Sequence, residues 1–252
     1  MAVILGIGNA ALDIVHLVDC YPDENAEIRC HSRTLRCGGN TANTLIVLSQ
    51  LGPSCRWAGM LADNAEGDLV AAELIRHGID ISASEFSDQG SMPVSTIMIS
   101  RQTGSRTITH YRDLPEYSYA AFSAIDLEAL DWLHFEGRNI DSVRHMLERV
   151  REISPAVRCS LEIEKPRDGI ESLFPLADVL MFSRSYAEAR GFFDPLVLLR
   201  SVHADCSGAD LFCAWGAAGA AALDRDGGEC RHAAVRPATV IDTLGAGDTF
   251  NA

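Results

Sequence analysis

The stretch DTLGAGDTFNA, residues 242–252, combines small residues and one carboxylate in a pattern that could transfer a phosphoryl group. Gly245, Ala246 and Gly247 leave backbone N–H groups unobstructed, and the helix that they begin points the positive end of its dipole to the same place. They are therefore a candidate anion hole. Asp248 could take a proton from an attacking hydroxyl there, or it could only cap the helix, since aspartate is favoured in a first turn for that reason alone.

A second set of polar residues suits a ligand that is rich in hydroxyl groups. Asp13 lies close after an apolar segment, where the carboxyl end of a buried strand would place a ligand-binding side chain. In RCGGNTANT, Asn40 and Asn43 are three residues apart and share one helical face. Carboxamides donate and accept hydrogen bonds, which suits the vicinal hydroxyls of a sugar. Asn40 could equally be only a helix cap, and Asn43 a polar surface residue.

The segment GIGNAALD, residues 6–13, also matches a loose form of the dinucleotide-binding pattern G-x-G-x-x-A. The residues that follow, LVDCYPDENAEI, contain a proline and several acidic residues where that fold requires a packed helix. An NAD-dependent oxidoreductase is therefore a weak alternative.

The elements that must position these residues alternate between strands and helices. Apolar runs predict strands at 3–8, 132–137, 158–164, 178–183 and 211–216. Helical patterns lie between them at 40–52, 67–78 and 142–154. This alternation predicts one α/β domain over residues 1–252, doubly wound, with a mainly parallel sheet and helices on both faces. Two of the strands end with charged residues, in HFEGRN and EIEKPR. These residues could belong to a ligand site, or they could be charged only because they lie in solvent-exposed loops.

Two segments, 27–39 and 94–112, alternate instead like half-buried antiparallel strands. They predict a small projecting sheet, the lid, with strands within about 14–38 and 92–114, which could cover a site or pair with another subunit. Arg106 lies in it, where a single exposed arginine is more often solvated than ligand-bound. CAWGAAGAAAL, residues 213–223, predicts a strand, a tight turn and a returning strand. Its small residues could admit an adenine ring or form a close packing corner.

Composition limits the partners. A net charge of -14 disfavours nucleic acid and anionic membranes, because phosphate groups would be repelled over most of the surface. There is no long apolar run and no signal-peptide pattern at residues 1–8, so we expect a cytosolic protein without a membrane partner. The eight cysteines include no C-x-x-C pair, which indicates reduced, mostly structural thiols.

Taken together, GGNTAN, HFEGRN, EKPR, CAW and DTLGAGDTFNA, in this order and spacing, resemble the ribokinase-like (PfkB) family of sugar kinases, and most closely its fructose-phosphorylating branch. The resemblance implies that Asp248 is the base that deprotonates the sugar hydroxyl, with Gly245, Ala246 and Gly247 around the γ-phosphate. The implied sugar-binding residues are Asp13, Gly39, Asn40, Asn43 and, on the lid, Asn25. The implied ATP-binding residues are Arg106, Gly216, Ala217, Ala218 and Gly219.

The reaction implied by the resemblance converts ATP and D-fructose into fructose 1-phosphate and ADP. Mg²⁺ would bind the phosphates, K⁺ would activate, and two lids would clasp to form a homodimer. The resemblance also implies that several tens of C-terminal residues are missing, including some beside the adenine pocket. Asn25 stands where that branch has an acidic residue, and Ser183 and Tyr186 stand where the wider family has N-x-x-E. The alternative from another class is a truncated, inactive sugar-binding or partner-binding module.

Overall fold

A computed structural model of the chain describes residues 2–206, 208–235, 237–238 and 243–252. The strands are β1 (Val3–Ile7), β2 (Ala11–Val18), β3 (Ser32–Gly38), β4 (Ser54–Ala58), β5 (Met60–Ala62), β6 (Glu85–Ser87), β7 (Val94–Ser100), β8 (Arg106–Tyr111), β9 (Trp132–Glu136), β10 (Arg158–Ile163), β11 (Val179–Phe182), β12 (Asp210–Ala214), β13 (Ala220–Leu223) and β14 (Glu229–His232). The α-helices are α1 (Asn40–Leu51), α2 (Ala65–Arg76), α3 (Tyr119–Ser123), α4 (Ile140–Ile153), α5 (Arg184–Ala189), α6 (Pro195–Val202) and α7 (Ala246–Asn251).

The main sheet has the strand order β14-β13-β12-β11-β10-β9-β1-β4. Pairing is parallel from β4 through β12, and β13 and β14 add an antiparallel edge. The five predicted main strands all form within two residues of their expected bounds. Their apolar runs are buried because helices cover the sheet, as parallel sheets require. The predicted mainly parallel α/β fold is confirmed.

Helix α4 illustrates how the pattern of apolar residues determines packing. Val143, Met146, Leu147 and Val150 repeat at helical spacing, and all four are buried in the larger hydrophobic core. That core also contains the central strands β9 to β12. A second core lies around α1, α2 and β4. The two cores hold the carboxyl ends of the parallel strands in fixed positions.

The lid is a separate four-stranded sheet with the order β3-β2-β7-β8. The predicted turn in QTGS joins β7 to β8, and Gly104 there has a φ of +68°. The strands were expected to pair antiparallel throughout, but β2 and β7 run parallel because a long excursion through α1 and α2 separates them. The strand expected from residue 27 begins at Ser32.

The chain passes from β1 through residues 8–10 directly into β2, a lid strand. No helix follows GIGNAALD, so nothing presents a helix N-terminus to a pyrophosphate there. The dinucleotide-binding interpretation of this segment is therefore wrong. The tight turn predicted within 213–223 is confirmed, since β12 and β13 pair antiparallel across Gly216–Ala218 and Gly219.

Candidate active site

An open cleft of about 550 Å³ lies between the lid and the carboxyl ends of the parallel strands, where open α/β sheets bind ligands. Most of the predicted site residues line it. They are Asp13, Gly39, Asn40, Asn43, Arg106, Gly216, Gly245, Ala246, Gly247 and Asp248. Residues that are far apart in the sequence, at 13, 40, 106 and 248, therefore meet at one place.

The other predicted residues lie outside the lining of this cleft. Asn25 is exposed in the connection between β2 and β3, with a left-handed φ of +64°. Ala217, Ala218 and Gly219 belong to the turn after β12, of which Gly216 alone is among the residues that line the cleft. The turn therefore meets the cleft through its first residue.

Asp248 lies in the first turn of α7 and is 8% exposed. Asn43 donates a hydrogen bond from Nδ2 to Asp248 Oδ2 at 2.7 Å, and Thr44 Oγ1 donates to the Asp248 carbonyl oxygen at 3.3 Å. Among the described residues, no side chain caps the N-terminus of α7 with a hydrogen bond, so this carboxylate does not act as a cap. Asp248 instead forms its hydrogen bonds with residues of α1, which distinguishes it from an ordinary capping aspartate.

Burial raises the pKa of Asp248 to about 6, and the hydrogen bond from Asn43 opposes this rise. The negative charges of Glu164, Glu136 and Asp13 add to the rise. The carboxylate is therefore ionised at neutral pH, yet it is more basic than an ordinary aspartate. That combination suits a group that accepts a proton during a reaction.

Asp13 occupies the inner part of β2, is 7% exposed and is paired in register with Arg36 and Ser95 of the neighbouring strands. Burial raises the pKa of Asp13, while the hydrogen bond from Ser95 and the charge of Arg36 oppose the rise. A Cβ at Gly38 would lie 2.4 Å from the Asp13 carboxylate, so glycine leaves the room this side chain needs. Gly39 has a φ of +98°, which favours glycine there as well.

Two buried glutamates were not predicted individually. Glu136 and Glu162 stand side by side at the ends of β9 and β10, and each is 6% exposed. Asn9 donates its backbone N–H to Glu136 Oε2 at 2.9 Å, and Asn251 Nδ2 donates to Glu162 Oε1 at 2.9 Å. Burial raises the pKa of both carboxyls. The charged strand ends HFEGRN and EIEKPR were the signal for them.

Arg106 is not merely solvated. Its Nη1 donates to the backbone oxygen of Thr243 at 3.0 Å and to Thr243 Oγ1 at 3.1 Å. The first residue of β8 therefore reaches from the lid to the segment just before the glycine-rich turn. The cleft is also lined by further basic side chains, namely Arg112, Arg138, Lys165 and Arg184. Acidic side chains line it as well, namely Asp13, Glu136, Glu162, Glu164 and Asp248, so the cleft holds groups of both charges close together.

Within the described ranges, no group of three or more histidine, cysteine, aspartate or glutamate residues is arranged to hold a metal ion. Nor is any helix there long and apolar enough to cross a bilayer.

This fold and this cleft define a ribokinase-like α/β kinase, and comparison with known proteins agrees. The pfkB family carbohydrate kinase model matches residues 1–252, and the chain belongs to that family of phosphotransferases, which act on alcohol groups. Ketohexokinase of Mus musculus is 40% identical over 257 residues, covering 99% of this chain and 86% of that protein. The resemblance inferred from the sequence motifs is confirmed.

Solved structures show the same fold at low identity. A ribokinase-like protein of Agrobacterium tumefaciens superposes with a TM-score of 0.86 at 20% identity, covering 99% of this chain and 81% of that one. Adenosine kinase from Sinorhizobium meliloti superposes with a TM-score of 0.80 at 19% identity, covering 98% of this chain and 84% of that one. Ribokinase of Arabidopsis thaliana, solved with ribose and ATP, superposes with a TM-score of 0.76 at 18% identity, covering 99% of this chain and 83% of that one.

Proposed function

We propose that this carbohydrate kinase transfers the γ-phosphoryl group of ATP to D-fructose, giving fructose 1-phosphate and ADP, with Asp248 as the base. The observation that carries the proposal is the position of Asp248. It is buried in the cleft at the glycine-rich turn, in contact with Asn43 and in one cleft with Asp13. The identity to mouse ketohexokinase supports fructose as the acceptor.

At the sugar end, we assign Asp13, Gly39, Asn40 and Asn43 to the hydroxyl groups of the substrate. A carboxylate and two carboxamides can accept and donate several hydrogen bonds at once, which fixes a polyol in one orientation. Such positioning converts the encounter of two substrates into an effectively unimolecular step. Asp248 would then accept the proton of the attacking hydroxyl, which contributes about 10²- to 10⁴-fold in typical enzymes.

At the nucleotide end, we assign the γ-phosphate to the backbone at Gly245, Ala246 and Gly247, and a nucleotide contact to Arg106. Phosphoryl transfer needs charge neutralisation and in-line placement more than covalent chemistry. The turn Gly216, Ala217, Ala218 and Gly219 would lie beside the adenine ring, with Gly216 at the cleft wall. Mg²⁺ dehydrates reluctantly and commonly binds through substrate phosphates, so it requires no protein cage of its own. K⁺ is proposed as an activator on the resemblance alone.

We propose that the protein forms a homodimer through its lid. The lid carries exposed apolar side chains outside the cleft, including Leu35 and Tyr111, which a second lid could cover. Sedimentation of the protein at several concentrations tests this association, and Leu35→Glu, at an exposed position outside the cleft, should weaken it. Asn25 lies outside the lining of the cleft, and we propose its contact with sugar on the resemblance alone.

The test of the proposed reaction is ADP release by the purified protein with ATP, Mg²⁺ and K⁺, with fructose, ribose, glucose and adenosine compared as acceptors. Asp248→Asn should abolish turnover with fructose. Asp141→Asn is the matched control, since Asp141 lies in the first turn of α4 with a side chain that is 90% exposed. Phosphorus NMR of the product identifies the phosphorylated hydroxyl.

If the protein phosphorylates only another acceptor, fructose is not its substrate, but the proposed kinase activity stands. Sugar binding by calorimetry without turnover under any condition would favour the inactive binding module instead.

A further inference from the structure

Five residues at one end of the cleft form a closed polar ring, Asn9–Arg112–Glu116–Arg138–Glu136, and all of them except Glu116 line the cleft. Arg112 Nη1 donates to Asn9 Oδ1 at 2.6 Å, and its Nη2 lies 3.0 Å from Glu116 Oε2. Glu116 Oε1 lies 3.5 Å from Arg138 Nε, and Arg138 Nη1 lies 3.7 Å from Glu136 Oε1. The backbone N–H of Asn9 closes the ring onto Glu136 Oε2 at 2.9 Å.

Most of the ring is shielded from water, and Glu116, whose side chain is 36% exposed, is its most accessible member. The side chain of Arg112 is 14% exposed, that of Arg138 is 24% exposed and that of Glu136 is 6% exposed. Burial lowers the pKa of Arg112, against the effect of Glu116, but a guanidinium stays charged at neutral pH. Removing one member would leave its buried partners without compensation, which costs more than the pair contributes.

The ring spans the base of the lid. Asn9 lies in the connection from β1 into the lid strand β2, and Arg112 directly follows the lid strand β8. Glu136 and Arg138 stand at the carboxyl end of β9 in the main sheet, and both line the cleft. Two of the chain's connections between lid and main sheet are therefore tied to a carboxylate that faces the cleft.

We propose that Arg112 is a positioning residue, which fixes Glu136 and the base of the lid relative to each other so that sugar affinity depends on lid position. The inference rests on the proposed function. An arginine is needed because its planar fork reaches Asn9 with one nitrogen and Glu116 with the other. A lysine has a single ammonium group and cannot hold both at this geometry.

The experiment compares Arg112→Ala and Arg112→Lys with wild type. We expect the KM for sugar to rise about 10-fold in both variants, the scale of a lost charge-assisted hydrogen bond, while kcat and the KM for ATP change less than about 3-fold. Arg101→Ala is the matched control, an arginine at the far end of β7 whose side chain is 54% exposed and pairs with Asp19. It should leave both KM values unchanged.

A second readout does not require turnover. Hydrogen exchange of the peptides that cover β8 and the end of β9 should speed up together in Arg112→Ala, whereas Arg101→Ala should affect the lid alone. If Arg112→Ala does not fold, Glu116→Gln breaks the same ring and gives the same comparison.

The outcomes separate the two proposals. An unchanged sugar KM in an active Arg112→Ala, rescue by Arg112→Lys, or exchange that stays slow at the end of β9 would overturn the positioning role. A wild-type protein that turns over no sugar would overturn the proposed function, and the exchange comparison would still decide whether the ring couples the lid to β9.

Discussion

Asn43 and Asp248 lie 205 positions apart in the sequence and are joined by a hydrogen bond of 2.7 Å. The bond connects the first turn of α1 to the first turn of α7 and opposes the rise in the pKa of Asp248 that burial causes. Because Asn43 donates to the ionised form, it holds the pKa of Asp248 below the value that burial alone would produce. One carboxamide can thus tune the proposed base and contact the proposed sugar.

The acid limb of the pH profile tests this relationship. With the pKa of Asp248 at about 6, kcat/KM for sugar should fall roughly tenfold per pH unit below that value, since the protonated carboxyl cannot act as a base. Asn43→Ala removes a contact that lowers the pKa, so its limb should move to higher pH. The measurement is kcat/KM for fructose between about pH 4.5 and 8.

Asn40→Ala is the control for that experiment, because Asn40 lines the same cleft. Both variants should lose sugar affinity, but only Asn43→Ala should shift the limb. A limb that stays in place, or moves to lower pH, would show that Asn43 does not stabilise the ionised base.

Arg106 connects the lid to the segment before the glycine-rich turn through Thr243. Arg106→Ala should therefore raise the KM for ATP about 10-fold, the scale of a lost charge-assisted contact, with a smaller effect on the KM for sugar. Arg33→Ala is the control, since Arg33 is an exposed arginine on β3 of the same sheet. Equal KM values for ATP in both variants would argue against a nucleotide contact by Arg106.

Gly38 leaves the space that the Asp13 carboxylate occupies. Gly38→Ala would place a Cβ 2.4 Å from that group, so we expect displacement of Asp13, a higher KM for sugar and a destabilisation of about 1–3 kcal/mol. Gly78→Ala is the control, because Gly78 is exposed and has open space but a φ of +73°. It should lose stability through backbone strain alone. An unaltered sugar KM in Gly38→Ala would mean that Asp13 can move without consequence.

Much of this architecture follows from local patterns in the sequence. Continuous apolar runs predict the buried parallel strands, and apolar residues at helical spacing predict α4. Each of these patterns extends over only a few residues of sequence. The lid was also predicted, but not the parallel pairing of β2 with β7, because the strands are separated by two helices and register across such a distance leaves no local trace.

The sequence predicted those residues of the candidate site that belong to recognisable local motifs. Asp13, Asn43 and Asp248 each stand beside a turn or strand end, where composition alone suggests ligand binding. The ring of Arg112 with Asn9 and Glu116 is different, since each member resembles an ordinary surface residue in the sequence. It becomes visible when tertiary packing encloses the charges, as does the contact between Arg106 and Thr243.

His134 gives a prediction about stability rather than activity. It is 2% exposed, its Nδ1 lies 2.9 Å from Ser160 Oγ, and burial lowers its pKa to about 4. The folded protein therefore keeps this imidazole neutral while the unfolded chain protonates it near pH 6.5. The neutral imidazole therefore makes its full contribution to the free energy of unfolding above pH 6.5. As the pH falls towards 4, that free energy decreases by on the order of 3 kcal/mol, because the unfolded chain takes up the proton.

Denaturant unfolding of the wild type and His134→Asn between pH 4 and 8 measures this contribution. The variant is expected to be less stable at pH 8, because it loses packing, but the gap should narrow as the pH falls. Buried carboxyls with raised pKa values, such as Glu162, act in the opposite direction and are common to both proteins, so they cancel in the difference. A gap that stays constant across this range would show that His134 titrates alike in the folded and unfolded chains.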